Sequence, residues 1–181
     1  DTLAVHGIQT VHTTSMDLVP PVHMTSTFKF KSSEFGSDIF KGEKEGFIYS
    51  RISNPTLELF QEKIAVLEGG EAGLATASGM SAIASAAIAL ARSGDNFVAC
   101  TTVYGGTFAL FSKHLPALNI KGRFHSGPRS DTASELEKKI DDKTRFLFME
   151  TPANPTLEIL DIGMWSSVAE KYGDRKSTRL N

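Results

Sequence analysis

Arg145-Phe146-Leu147-Phe148-Met149-Glu150-Thr151-Pro152-Ala153-Asn154-Pro155 decides the fold. Its unbroken apolar run, entered at Arg145 and closed by Glu150 and the prolines, predicts a short strand buried on both faces, because a strand with one wet face alternates apolar and polar residues. Strands of that kind belong to parallel sheets covered by helices. The flanking chain agrees. Phe97 to Cys100 and Lys121 to His125 read as further strands. Between and around them lie helical patterns: an Ala-rich one from Gly79 to Arg92 closed by Gly94, a short one toward Lys113, and one at Thr132 to Ile140. A last one carries Ile162, Trp165, Val168, Ala169 and Tyr172 on a single face. Alternating strand and helix predict an α/β chain with a mainly parallel sheet and helices on both faces, which binds ligands at the carboxyl ends of its strands.

Upstream, Asn54 is a good N-cap and Pro55 suits the first helical position. Leu57, Phe60, Ile64 and Leu67 then recur at helical spacing before Gly69-Gly70. Ala72 to Ala77 is a short apolar run that reads as a buried strand. From Asp1 to Gly46 the sequence is mixed, with Pro20-Pro21 and an extended-looking Val22 to Phe30, and reads as an arm.

The chain has 181 residues, enough for about one domain with a real core. Lys plus Arg number 19 against 21 Asp plus Glu, a net charge of −2 that excludes a dedicated nucleic-acid binder or a polybasic membrane anchor. Cys100 is the single cysteine, so no intrachain disulfide forms and a disulfide-stapled secreted domain is excluded; it reads as a small buried apolar residue in a reducing cytoplasm. No stretch approaches the ~20 apolar residues of a membrane helix. The five histidines, His6, His12, His23, His114 and His125, show no metal-ligand spacing.

Four segments carry candidate chemistry. Ser78-Gly79-Met80-Ser81 stands between a strand reading and a helix start, where unpaired N–H groups and the helix dipole favour an anion; a plain Ser cap fits the same residues. Tyr49 and Arg51 precede the capped helix, and Arg51 offers a planar fork suited to phosphate or a solvated charge. Tyr104-Gly105-Gly106-Thr107 follows the strand ending near Cys100, so Tyr104 either stacks on a flat ring or lies half-buried in a turn. Glu150 and Asn154 follow the strongest strand; Asn154 either donates a hydrogen bond to a ring oxygen or opens an Asn-Pro turn. No P-loop, G-x-G-x-x-G or G-x-S-x-G accompanies them.

Taken in order, YSRISNPT, LEGGEAGLATASGM, YGGTF and ETPANPT resemble the Cys/Met-metabolism family of pyridoxal-phosphate enzymes from Asp1 to about Gly173. Within it, Gly46 to Thr56 and Glu150 to Pro155 are most similar to the methionine gamma-lyase branch. The resemblance implies fold type I and pyridoxal 5'-phosphate as cofactor. It implies that the Gly79 and Met80 amides, with Ser78, hold the phosphate, and that Tyr49 and Arg51 complete that site from a neighbouring subunit of a homodimer or homotetramer. Tyr104 would stack on the pyridine and act as general acid, Asn154 would bond the ring hydroxyl, and Glu150 would support that edge. The implied substrates are sulfur amino acids or O-acylhomoserines. The implied reaction is gamma-elimination of L-methionine to 2-oxobutanoate, methanethiol and ammonia. The alternatives are gamma-replacement, as in O-acylhomoserine sulfhydrylases, or the cystathionine lyase and synthase reactions. Gly106 stands where methionine-cleaving members commonly carry Cys, a feature shared with the sulfhydrylases and synthases.

The family's cofactor-carrying lysine, its pyridinium-pairing aspartate and its carboxylate-binding arginine have no counterpart in the matched region. Asp174 to Asn181 is basic and nearly devoid of aliphatics, so it predicts no central strand. We therefore expect an N-terminal piece of a longer enzyme, inactive by itself and at most a cofactor-binding fragment. Its expected parts are an intersubunit arm over 1–46, the first part of the large cofactor domain over 47–173, and a non-native tail over 174–181.

Overall fold

The strand centred on Phe148 forms over Thr144–Glu150 and is here β3. In the computed structural model, which describes residues 2–7, 19–126, 132–172 and 177–180, it lies inside a four-stranded, wholly parallel sheet. Its partners are β1 (Asn96–Cys100), β2 (Lys121–His125) and β4 (Ser177–Leu180), in the order β2-β1-β3-β4. Every residue of β1 is buried, as its position between two partners requires.

Helices cover both faces. After β1 the chain runs through α5 (Gly105–Ala109), one π-helical turn (Leu110–His114) and α6 (Leu115–Ala117). This segment lays Phe111 edge-on against Phe97 at 4.7 Å and Phe148 at 4.9 Å, while Phe97 stacks on Phe146 at 4.8 Å. These pairs add about 0.5–1.5 kcal/mol each beyond their burial. Gly122 of β2 is required here, since a Cβ at that position would stand 2.8 Å from Phe97 Cζ. In the parallel register His125 sits beside Cys100, on the alternate face from Phe97 and Phe148. There Trp165 of α8 (Ile162–Lys171) meets the His125 ring at 5.7 Å. The remaining helices of this unit are α4 (Gly79–Leu90) and α7 (Ala133–Glu137).

A polar clasp aligns the strand starts. Thr144 Oγ1 donates to Asn96 Oδ1 at 2.7 Å, and Asn96 Nδ2 donates to Asp141 Oδ1 at 2.8 Å. Arg123 pairs with the other Asp141 oxygen. The Asn96 amide first, and then Arg123, hold the Asp141 carboxyl well below the usual range.

Residues 1–75 and 76–181 are two compact units. The first contains α1 (Thr2–His6), α2 (Ser33–Phe40) and α3 (Pro55–Glu68). Asn54 caps α3 by accepting from the Thr56 N–H at 2.9 Å, and Gly69 closes it at φ 65°, the left-handed conformation glycine adopts without strain. The extended stretch after Pro21 pairs with the Tyr49 segment through a single antiparallel bridge, Thr27 to Tyr49.

One expectation is corrected. Ala72 to Ala77 forms no strand: Leu74 is 82% exposed, and the Ala75 N–H donates to Gln61 Oε1 instead of to a strand neighbour. An apolar run becomes a strand only where a ladder partner takes its amides. Ser177–Leu180, within the tail whose composition predicts no central strand, pairs in parallel with β3 at the sheet edge, a place that expectation leaves open. Ladder hydrogen bonds come from the backbone, so an edge position imposes far less on composition than a central one. No described helix is long and apolar enough to cross a membrane.

Candidate active site

The carboxyl ends of β1 and β3 point to one edge, as a parallel sheet dictates, and α4 begins at the same place. A cleft of about 320 Å³ opens there, lined by Gly79, Met80, Ile83, Tyr104, Thr107, Glu150, Pro152 and Asn154. Five of the predicted residues, Gly79, Met80, Tyr104, Glu150 and Asn154, thus line it directly.

Ser78 is the α4 N-cap; its hydroxyl accepts from the Ser81 N–H at 3.1 Å. The capping reading and the anion reading therefore coexist. The cap takes the third amide of the turn, while the Gly79 and Met80 amides have no intrahelical carbonyl to bind. No acidic side chain occupies the first turn of this 12-residue helix. A Cβ built on Gly79 would meet nothing within 4 Å, so open space lies beside the first residue of the helix, on the cleft it lines. Unpaired amides, the positive end of a dipole and open room are what a phosphate requires.

Tyr104 is 52% exposed and precedes α5 as its N-cap, but its side chain makes no capping bond. The opposite strand supplies that function. Glu150, the last residue of β3, accepts from the Tyr104 N–H at 2.7 Å and from the Thr107 hydroxyl at 3.0 Å. Thr107 is fully buried and also approaches Met80 Sδ at 3.9 Å, tying α5 to α4. Sequence reading missed Thr107. Its only signal was a hydroxyl at the third position of a short helix, a position whose partner stands 43 residues away. Gly106 lies beneath the Tyr104 ring: a Cβ there would stand 2.7 Å from Tyr104 Cε1 and 3.2 Å from Met80 Sδ.

Asn154 projects from the loop after β3, where Thr151–Pro152 and Asn154–Pro155 are cis. The Thr151 hydroxyl accepts from the Leu160 N–H at 3.1 Å, and Ala153 N–H from this loop donates to Glu158 O at 2.9 Å, so the loop is stapled to itself and holds Asn154 at the cleft. Cys100 stays outside the chemistry: burial pushes its thiol pKa up, and its sulfur accepts from the Glu150 N–H at 3.4 Å. Tyr49 and Arg51 belong to the first unit, where the guanidinium lies 5.1 Å over the Tyr49 ring. Asn54 fixes that turn, donating to the Ser50 hydroxyl at 2.8 Å and to His23 O at 3.1 Å.

The residues of the cleft fit a phosphorylated planar ring: an amide pair for the phosphate, an aromatic face for the ring and an amide side chain for a ring oxygen. The contact of the Tyr104 ring with Gly106 yields a direct test. Gly106→Ala places a methyl against Tyr104, and the half-exposed ring swings outward. We expect a melting change equivalent to about 1 kcal/mol or less, because the clash is with a movable surface ring. Pyridoxal phosphate affinity should fall several-fold in an absorbance titration; unchanged affinity would separate the ring position from binding.

Comparison with known proteins gives the family and its cofactor. The Cys/Met metabolism PLP-dependent enzyme family matches residues 1–176. The L-methionine gamma-lyase of Pseudomonas deceptionensis is 43% identical over 157 residues, 87% of this chain and 39% of that protein. The homocysteine/cysteine synthase of Kluyveromyces lactis is 38% identical over 96% of this chain and 38% of its own length. A crystal structure of a putative O-acetylhomoserine (thiol)-lyase from Campylobacter jejuni, carrying a pyridoxyl-lysine phosphate, superposes with a TM-score of 0.88 at 35% identity, covering 99% of this chain and 43% of that one. The chain thus spans about two fifths of the length of these relatives. Its fold is that of the fold type I pyridoxal-phosphate enzymes, of which this parallel sheet is a part. By sequence and by fold, the chain belongs to the Cys/Met-metabolism family of enzymes whose cofactor is pyridoxal phosphate.

Proposed function

We propose that this chain forms the phosphate-binding and ring-stacking part of an enzyme of sulfur amino acid metabolism, and that the complete enzyme performs gamma-elimination on L-methionine. The observation that carries the reading is the cleft itself, where the free amides of α4, the Tyr104 ring and Asn154 converge at the carboxyl edge of a parallel sheet. When bound, pyridoxal phosphate supplies an electron sink for protons leaving carbon atoms of the amino acid.

The chain's own residues do the rest. The Gly79 and Met80 amides and the Ser78 hydroxyl bind the phosphate, with Tyr49 and Arg51 completing that site from a neighbouring subunit. Tyr104 holds the ring flat and its phenol delivers a proton to the departing γ-sulfur. Asn154 Nδ2 donates to the ring oxygen, and Ile83, Met80 and Pro152 keep water from that side. The apolar stripe of α3, with Phe60 54% exposed and Leu67 45% exposed, supports an assembled homodimer or tetramer.

A second reading is gamma-replacement on an O-acylhomoserine. It is favoured by Gly106, which leaves the floor beside Tyr104 without a side chain, and by the likeness to the thiol-lyase structure. Both readings are tested by giving the purified full-length enzyme L-methionine alone, and O-acetylhomoserine with sulfide. We expect 2-oxobutanoate from methionine. Homocysteine from the second mixture without 2-oxobutanoate from the first would favour replacement, and neither product would overturn both.

A further inference from the structure

We propose that Glu150 is a positioning residue for Tyr104, acting on the cofactor site through the aromatic loop and not by touching the cofactor. The inference rests on the reading of this cleft as the pyridoxal phosphate site. Its basis is where the carboxylate goes. One oxygen accepts from the Tyr104 N–H at 2.7 Å and the other from the Thr107 hydroxyl at 3.0 Å, so both bonds run into α5. Tyr104 itself contributes no side-chain cap, and α5 would otherwise start with an unsatisfied N–H. A carboxylate from β3 therefore caps, across 46 residues of sequence, the turn that carries the stacking ring.

Three contacts then define the ring's position. Glu150 fixes the backbone from which the ring departs. Buried Thr107 links that carboxylate to Met80, whose amide belongs to the phosphate-binding turn. Gly106 removes the one Cβ that would push the ring away. Glu150 is also anchored from behind, since its own N–H donates to buried Cys100 Sγ at 3.4 Å. The carboxylate is thus held between a strand end and a loop whose aromatic side chain is half exposed.

The roles separate by the chemistry of substitution. A Gln at this position keeps one oxygen for the Tyr104 N–H and turns its NH2 toward Thr107, whose hydroxyl can accept as well as donate. A group that works by bonding the loop is therefore largely rescued by Gln, whereas one that works by its negative charge near the cofactor is not.

The test uses the full-length holoenzyme and a double-mutant cycle read by pyridoxal phosphate affinity and by the visible circular dichroism of the bound cofactor. Glu150→Ala is expected to weaken affinity about tenfold, the order expected from losing a charge-assisted hydrogen bond, and to diminish the dichroic band at full occupancy. Glu150→Gln should keep most of both, and Thr107→Val, which removes one of the two bonds, should fall between. In a Tyr104→Ala background, Glu150→Ala should add less than about twofold, the tolerance of such cycles. Additive losses, or Gln as harmful as Ala, would overturn the inference and place the carboxylate on the cofactor. Wild-type enzyme without a visible cofactor band would overturn the cofactor reading and this inference together. Equal binding by wild type and Tyr104→Ala would overturn the stacking role on which the inference depends. If Glu150→Ala does not fold, Thr107→Val with Glu150→Gln decides: unaltered dichroism in Thr107→Val counts against the proposal.

Discussion

Gly79→Asp is expected to abolish pyridoxal phosphate binding while leaving the unliganded fold as stable as before, or slightly more so. The two effects have opposite signs because they act on the same dipole. Gly79 is the first residue of α4, whose first turn has no acidic side chain, and an Asp there would gain about 0.3–1 kcal/mol from the positive helix end. A built Cβ meets nothing within 4 Å, so no packing loss offsets that gain. The same carboxylate would occupy the place proposed for the phosphate. At an effective dielectric of about 20, two unit charges ~4 Å apart repel by about 4 kcal/mol. Even heavily screened, that is a loss of about 100-fold or more in affinity. Gly79→Asn supplies the control of equal size without charge and should lose far less, about tenfold or less by steric crowding alone. Absorbance titration gives the affinities and thermal melting of the apo-protein gives the stabilities. Equal losses in Asp and Asn would place the phosphate away from these amides.

The feature this variant probes was legible in the sequence only as an ambiguity. Ser78 before an Ala-rich helix reads first as a cap and only second as an anion site, and the structure shows a cap that leaves two amides over. Single residues did not resolve it because capping and anion binding use the same turn. β3 was legible outright, since an unbroken apolar run can be solvated on neither face, and its parallel pairing followed. The reading of Ala72 to Ala77 failed for a related reason: apolar composition predicts burial, but a ladder partner elsewhere in the chain decides whether a strand forms. The α3 periodicity was correct as a helix, while Leu57, Phe60, Ile64 and Leu67 remain between 41% and 54% exposed, because periodicity names a face and not its partner. Thr107 and the loop role of Glu150 could not be read, as each depends on a contact more than 40 residues distant. Tyr104 and the Glu150–Asn154 segment meet at one cleft because each follows the carboxyl end of a parallel strand, which the alternation of strand and helix does predict, whereas Gly79 and Met80 line it with no strand before them.

Trp165→Ala should be the most damaging core substitution for stability, costing about 3–5 kcal/mol, the range for deleting a fully buried large aromatic. Trp165 is 0% exposed and is the chain's only tryptophan, so no second indole fills the space it leaves. Its neighbours are poorly placed to collapse into the gap. His125 is pinned in the β2–β1 register beside Cys100, and its ring meets the indole edge-on at 73°. Val168 and Ala169, on the same helix, are already buried. Against a total stability of about 5–15 kcal/mol, a loss of that size is a large fraction of the whole. Urea unfolding of the full-length enzyme followed by far-ultraviolet circular dichroism measures it, and Trp165→Phe, which keeps an aromatic ring, should lose less than half as much. A loss below about 1 kcal/mol for the Ala variant would show that α8 does not depend on this side chain for its hold on the sheet. The site gives an independent check. Saturating pyridoxal phosphate should stabilise Trp165→Ala by the same increment as the wild type, because binding adds RT ln(1 + [L]/Kd) to whatever fold survives and Trp165 packs on the alternate face of the sheet from the Phe111 cluster, away from the cleft's lining residues. A smaller increment in the variant would mean that α8 also sets the end of β3, where Glu150 holds the Tyr104 loop.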